Sequence, residues 1–415
     1  MAAKIDPLAT PQQRAFELAA LGLMRQPAVR AAMDEVAAYW IAQVKPNAAA
    51  RARFDAEFEQ VAFSISMEAL NQDPFYPAIH AFGRFAHTLE GARIPGSKVG
   101  NPNPDYIYRF ITIDSTSRYL IHGETVGPPP VAAEFSVLTK AQAYLANRSA
   151  RHITFDADGR FTLTLDSAPA GDRVNHMQTG EGACQVLIRD ILSDVAVERP
   201  YKLSVERLGP PSRATFGETE AVACYGAHLK KFVDDLLFIG GRMIFNKPAN
   251  TFEQPAVHKG GIYSVAQAYS AGHYSLQDKQ ALVVTLTLGG AAYAVVPVNN
   301  VWGGIGDYLN HRSTLGTGRA APNPDGSYTF VVSLEDPGVA NWVDPEGLPD
   351  GVMFLRWAGL DPDYTGAPPQ AHTQLVSLSD LEKALPPGTP RLDAAGRRQQ
   401  MARHKADYPS WLGEG

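Results

Sequence analysis

The sequence predicts an α+β chain: a helical N-terminal region, then two duplicated antiparallel β-sandwich or jelly-roll-like modules with a helical connector. Three observations carry that expectation. Apolar residues in the first quarter recur at helical spacing. Near residue 100 the period falls to that of strands. An Asp-Gly turn followed by an alternating strand occurs twice, as "FDADGRFTLTLD" at 155–166 and "PNPDGSYTFVVS" at 322–333.

The helices come first. In "TPQQRAFELAALGLM", Thr10 is the N-cap, Pro11 opens the helix, Gln13 holds the capping-box position, and Phe16, Ala19, Ala20 and Leu23 follow at helical spacing. "PAVRAAMDEVAAYWIAQV" makes a second helix, again opened by Pro. "NAAARARFDAEFEQVAFSISMEALNQ" makes a third, with Phe54, Phe58, Val61 and Ile65 on one side. A fourth, shorter helix is expected over "FYPAIHAFGRFAHTLEGA". There His80, Arg84 and His87 would share a face that packs on the β modules, since no zinc-site pattern accompanies them.

The strands follow. "DYIYRFITIDSTSRYLIHGE" reads as a hairpin with "DSTS" at its tip. Tyr106, Tyr108, Phe110 and Thr112 share one face of the first strand, and Arg109 shares the other with Ile107 and Ile111. On the return strand Arg118, Leu120 and His122 lie together. Strands are expected at "ARHITFD", "RFTLTLD", "CQVLIRDIL" and "YKLSVERL". The connector is "TEAVACYGAHLKKFVDDLLFIGG". "QALVVTLTLGGAAYAVVPV" reads as a second hairpin turning at Gly289-Gly290, followed by "SYTFVVSL" and "GVMFLRWAG". A polar helical tail would pack on the outside or on another subunit. The expected divisions are 1–98, 99–210, 211–278, 279–375 and 376–415.

The repeat has a constant offset. Asp158-Gly159 falls on Asp325-Gly326, Thr162 on Thr329 and Arg189 on Arg356, each 167 residues apart; Asn175 meets Asn341 with a slip of one. Upstream, "TIDSTSRYLIHG" is set against "TLTLGGAAYAVVP". One order of elements recurring twice indicates a duplicated module.

These segments resemble an uncharacterised bacterial family, the "domain of unknown function" family 1214, over roughly residues 100–365. "NPDYIYRFITIDSTSRYLIHGE", "FDADGRFTLTLD" and "NPDGSYTFVVSLEDPGVANWVDPEGLPDGVMFLRW" carry the resemblance. Asp325, Gly326, Asn341, Trp342 and Arg356 fit its pattern, whereas the first copy has His176 where Trp would stand. The resemblance implies sandwich or jelly-roll-like modules and no particular activity. Relatives are frequent in bacteria that degrade aromatic compounds and steroids.

The bulk properties exclude some functions. The 415 residues carry a net charge of −6 and no basic block, which argues against nucleic acid as a partner. No membrane span is expected. Cys184 and Cys224 sit in no metal or redox spacing, and the N-terminal residues lack a leader pattern, so the cytoplasm is the expected compartment. A nucleophile elbow, a P-loop and paired cysteines are all missing, and no cofactor is expected.

The chemistry expected is therefore acid–base. His176 or His311 would abstract a proton, Arg109 or Arg118 would stabilise an anionic intermediate, and Tyr108 or Tyr106 would donate a proton. His122, Asn175, Asn310 and Asn341 would bind polar groups of the substrate. Trp302, Tyr308 and Trp342 would wall an aromatic ring. Arg189 and Arg356, each in an apolar strand, need partners if buried and read as structural links from sheet to loop. The resulting expectation is a cofactor-independent lyase, of elimination or formaldehyde-releasing retro-aldol type, acting on a small hydroxylated aromatic substrate. The alternatives are a non-catalytic carbohydrate or hydrophobic-metabolite binding protein, and a hydrolase or sulfuryl-transfer enzyme. A homodimer is compatible with each.

Overall fold

The computed structural model describes residues 7–258 and 263–408. Residues 1–6, 259–262 and 409–415 lie outside them. The chain has an α+β architecture with N-terminal helices, two β-sheet modules and a helical connector. Helices α1 (Pro11–Leu23), α2 (Pro27–Val44) and α3 (Ala48–Leu70) lead. Thr10 caps α1 as expected, its hydroxyl accepting from the Gln13 amide at 3.1 Å.

Strands β1 (His80–Phe82), β2 (His87–Leu89) and β3 (Ala92–Ile94) replace the expected fourth helix. Gly83 and Gly91 take φ of +75° and +80°, which end each short strand, and β1 pairs along Tyr108–Phe110. Tertiary pairing outweighs the helical spacing here. His80 instead meets the Asn71 amide at 2.7 Å, while Arg84 and His87 converge on Glu17 at 2.6 and 3.0 Å.

The first module comprises β4 (Tyr106–Thr112), β5 (Arg118–Glu124), β6 (Ala132–Thr139), β7 (Tyr144–Ser149), β8 (Arg160–Asp166), β9 (His176–Gln178), β10 (Ala183–Ile191) and β11 (Lys202–Leu208), with β1 at its edge. Helix α4 (Glu218–Phe238) runs into a π-helical turn, Ile239–Ile244. The second module comprises β12 (Ala256–Val257), β13 (Ala268–Ser275), β14 (Gln280–Thr287), β15 (Ala291–Pro297), β16 (Thr314–Gly316), β17 (Tyr328–Ser333), β18 (Trp342–Val343), β19 (Asp350–Leu360) and β20 (Gln370–Ser377). Short α5 (Leu381–Ala384) and then α6 (Ala394–Asp407) close the chain.

The duplication is visible strand by strand. Each module pairs a five-stranded with a four-stranded sheet: β1-β4-β10-β6-β7 with β11-β5-β8-β9, and β12-β13-β19-β15-β16 with β18-β17-β14-β20. The modules are antiparallel except for β8–β9 and β17–β18, which are parallel.

Both expected hairpins are corrected. β4 and β5 lie in different sheets, and so do β14 and β15; each connection crosses the sandwich. Asp114 shapes the first crossing, accepting from the Thr116 and Ser117 amides at 2.7 Å. The upstream repeat alignment therefore moves by one strand. β4–β5 corresponds to β13–β14, and β13 begins within the span assigned to the connector. Aligning alternation with alternation could not separate the two registers.

Packing explains the layout. Ile111, Phe135, Leu163 and Val186 fill the first sandwich, and Val284, Phe330, Leu355 and Trp357 fill the second. The five-stranded sheets turn their other faces toward one another, burying Tyr106, Tyr108, Leu187, Tyr293 and Val295 between modules. Asp105, wholly buried, binds this seam: it accepts from Tyr293 at 2.7 Å, from Arg319 at 2.6 Å and from Tyr408. The tail thus packs on its own chain.

A buried carboxylate pair joins α3 to the second module. Glu57 accepts from Asn300 at 2.7 Å, while Glu346 faces Arg53 at 2.8 Å. Burial pushes both acids up to about 7, each also in the field of other acidic groups: Glu346 for Glu57, and Asp307 and Asp344 for Glu346; Asn300, Gly306, Arg53 and His311 pull the other way. In the unfolded chain these groups ionise near the ordinary carboxylate value. Their contribution to stability is thus full below that value and is lost as pH rises through about 7. Glu57→Gln should melt like the parent at pH 5 and exceed it by on the order of 2 kcal/mol at pH 8, as calorimetric scans across that range would show.

Candidate functional site

The inter-module seam opens into a cavity of ≈130 Å³ lined by Phe82, Val99, Gly100, Asn101, Pro102, Tyr106, Tyr108, Arg189, Ile239, Tyr263, Tyr269, Phe354 and Arg356. Strand alternation supplies its chemistry. In β10, Ile188 points into the first sandwich, so Arg189 points out; in β19, Leu355 and Trp357 point in, so Arg356 points out. Arg189 is directly opposite Tyr108 on β4, and Arg356 directly opposite Tyr269 on β13. The repeat therefore builds the site from two equivalent Arg–Tyr pairs.

Both guanidiniums are more than nine-tenths buried. Arg189 Nη2 donates to the Tyr144 hydroxyl at 3.1 Å, and Arg356 Nη2 to the Asn101 carbonyl at 2.5 Å. Among the described residues Nη1 of each has no hydrogen-bond partner. Among the described residues neither has a carboxylate within ion-pairing distance. Glu134, across the ladder from Arg189, is the nearest compensation the register provides. Burial raises the Glu134 carboxyl while Arg189 and its bonds to Asn147 and Ser149 hold it down. An unpaired buried charge is costly, and both guanidiniums line this one cavity.

The phenols are donors. Burial lifts Tyr106 well above the usual range, with Arg356 and Arg189 pulling the other way, and raises Tyr269 similarly. Both donate to Gln267 Oε1, at 3.3 and 3.1 Å. Burial would lower Arg189, but the phenols of Tyr144, Tyr269 and Tyr108 outweigh it and keep the group charged. His258 stacks on Tyr263 with centroids 4.1 Å apart, just behind the wall.

Of the residues expected from sequence, Tyr106 and Tyr108 are here. Arg109 lies on the opposite face of β4, paired with Asp190 and donating to the Tyr201 carbonyl at 2.6 Å. Arg118 is exposed, 3.5 Å from Asp166. His176 is buried, with Nδ1 on Thr164 at 2.8 Å and Nε2 on the Ala168 carbonyl at 2.9 Å. His311 is a half-exposed partner of Asp344 at 2.8 Å. Trp302 fills the helical core between Trp40 and Phe54 and donates to the Ala50 carbonyl at 2.8 Å. Tyr308 meets Tyr408 at 2.8 Å in the Asp105 cluster, and Asn310 bonds Asp307 at 2.7 Å. Asn341 bridges the Ala321 amide and carbonyl at 2.8 and 2.7 Å. Trp342 donates to the Ser333 carbonyl at 3.0 Å.

His122 and Asn175 instead line an open cleft of ≈600 Å³ on the first module. It is larger, but His122, Asn175, Glu124, Arg160 and Lys202 in it already have partners. His122 meets Thr162 at 3.0 Å, Asn175 bonds the Thr154 backbone both ways, and Lys202 and Arg160 flank Glu124. The inter-module cavity is the stronger site on that ground. Sequence reasoning missed Tyr269, Tyr263, Phe82, Phe354 and Asn101. Tyr269 was within reach, as the repeat partner of Tyr108 in the corrected register.

His176→Ala is expected to destabilise the first module by about 1–3 kcal/mol through its lost hydrogen bonds, while leaving ligand affinity at the inter-module cavity unchanged. Denaturant titration alongside ligand titration separates the two effects.

No family model and no curated protein matches the chain. The chain is similar to the crystal structure of an uncharacterized protein from Burkholderia cenocepacia, at 21% identity and a TM-score of 0.70, covering 87% of this chain and 99% of that one. The two share a fold. A further similarity, to the VPA0106 protein from Vibrio parahaemolyticus, has a TM-score of 0.40 at 11% identity and covers 66% of this chain and 90% of that one.

Among the described residues, no helix is long and apolar enough to cross a membrane.

Proposed function

We propose that the protein binds a small organic monoanion, a carboxylate or phenolate, between its two modules. The observation that carries this is the pair of buried arginines from duplicated strands, both lining the same cavity and each with an Nη1 that has no partner among the described residues. Charge sets the ligand class. With Glu134 set against Arg189, one negative charge on the ligand balances the site. Size sets the rest: an apolar cavity of roughly 150 Å³ takes benzene, so ≈130 Å³ suits a body of up to one ring. Phe82, Phe354, Ile239 and Val99 offer it apolar walls, and the Tyr108 hydroxyl, which accepts from the Asn103 amide at 3.2 Å, offers an O–H donor.

Binding without turnover is the reading the lining favours, because among the described lining residues there is neither imidazole nor carboxylate to take a proton. The acid–base lyase is the second reading. His258, stacked behind Tyr263, is what favours it, with the protonated phenols as donors. Similarity to family 1214 belongs to the same proposal and adds no activity to it.

Titration calorimetry with a panel of small carboxylates and phenols, followed by recovery of the ligand, tests both readings. Saturable binding and unaltered ligand support the binding protein. A converted ligand, with conversion lost in His258→Ala, supports the lyase. No saturable binding of any member would overturn the proposal.

A further inference from the structure

A second cavity, ≈310 Å³, lies where α6 packs on the second module, lined by Arg312, Arg319, Gln399, Gln400, Arg403, His404 and Asp407 together with Leu315, Leu392 and Gly396. It is separate from the inter-module site, and none of its polar groups is used there. We propose that this cavity is a binding site for a phosphate group, free or as the head of a small monoester.

One residue lining this cavity is Arg312. It is 5% exposed, and its Nη2 is spent on the Ala340 and Trp342 carbonyls at 2.6 and 3.0 Å. Its Nε is buried with no hydrogen-bond partner, and among the described residues no carboxylate pairs with it. Arg319 repeats the pattern. Its Nη2 is held by Asp105 at 2.6 Å and Tyr308 at 3.0 Å, and its Nε is likewise unpartnered. Arg312 and Arg319 thus line one cavity from the loop before β16 and the turn after it. Arg403 adds a third guanidinium from α6, on the exposed side.

The local charges leave room for an anion. Asp105 offsets Arg319, and Arg403 faces Asp407, whose carboxyl burial raises and these two arginines lower. Arg397, close by, is paired with Asp336 at 2.9 Å. Among the described residues Arg312 has no carboxylate in ion-pair contact; burial, Arg397 and Arg319 lower it to about 9, against the opposing pull of Tyr308 and Asp336.

His404 supplies the opposite polarity. Its Nε2 lies 2.7 Å from the Tyr308 carbonyl, which can only accept, so Nε2 carries the proton. Nδ1 is then a lone pair, and it has no partner. Burial and Arg319 hold the ring neutral at ordinary pH, the value lowered to about 3. Guanidiniums brought to one cavity from three segments suit the terminal oxygens of a tetrahedral oxyanion better than the two of a planar carboxylate. A neighbouring acceptor suits the hydroxyl of a hydrogen phosphate or of an ester's organic part.

The test is titration calorimetry of the full chain at fixed ionic strength, with inorganic phosphate, glycerol 3-phosphate and glycolate. Saturable binding of either phosphate species, with glycolate failing to compete, is expected. Phosphate binding with the monoester excluded identifies free phosphate; tighter binding of the monoester identifies an ester head. Arg403→Gln, a surface change that spares the fold, should weaken binding about tenfold, the loss of one charge-assisted hydrogen bond. Asp407→Asn should tighten it by removing the competing carboxylate. No saturable phosphate binding, affinity unchanged in both variants, or preferential binding of glycolate would overturn the assignment.

Discussion

Arg356→Met is expected to lose affinity for the inter-module ligand by about 100-fold while folding as stably as the parent or more so. Two opposite signs follow from one observation. The Arg356 guanidinium is buried, gives one hydrogen bond to the Asn101 carbonyl, and has an Nη1 with no partner among the described residues. Replacing an uncompensated buried charge with an apolar side chain of similar length is often neutral or stabilising. In the complex the same group would make a charge-assisted hydrogen bond in a dry cavity, and truncating one partner of such a pair costs roughly 2–5 kcal/mol. Arg189→Met should behave alike but more mildly in stability, because its loss strands Glu134 across the ladder. Calorimetric affinity and denaturant midpoint, measured on the same samples, read both signs. A variant that loses stability and affinity together would mark Arg356 as a structural link from sheet to loop.

Asp105→Asn is expected to destabilise the protein by about 3–5 kcal/mol, because it leaves Arg319 buried against an uncharged group at the junction of modules and tail. Asp105 is the common acceptor for Arg319, Tyr293 and Tyr408, from the second module and the end of α6. Tyr293→Phe removes one of those donors and should cost about 1 kcal/mol. Chemical denaturation of the two variants would give the ratio. Equal, small effects would mean that apolar contacts alone hold the seam.

Much of the fold was legible because its signals are local. Thr10 and Pro11 mark the start of α1, and the alternation in 106–112 assigns Tyr106 and Tyr108 to one face and Arg109 to the other. The duplication was legible from the Asp-Gly turns and the spacing of Arg189 and Arg356. Strand pairing was not. A turn such as "DSTS" serves equally for a hairpin and for a crossing between sheets, and only the packed sandwich decides. The helix expected over 75–92 failed for the same reason, since β1 is held by its pairing with β4.

The site was half legible. His176 and Trp342 differ in sequence but do one job: each ties its loop to the neighbouring strand, through Thr164 in one module and the Ser333 carbonyl in the other. Their difference carried no function at the cavity. Arg189 and Arg356 were visible as charges in apolar strands, but sequence cannot show that a buried charge lacks a carboxylate. That absence, which makes them candidates, is a property of the assembled seam.

The most direct test is a crystal structure of the protein soaked with benzoate. The carboxylate should lie within hydrogen-bond distance of Nη1 of both Arg189 and Arg356, with the ring against Phe82 and Phe354. Benzoate found only in the open cleft beside His122 and Asn175, or an empty seam at saturating benzoate, would contradict it.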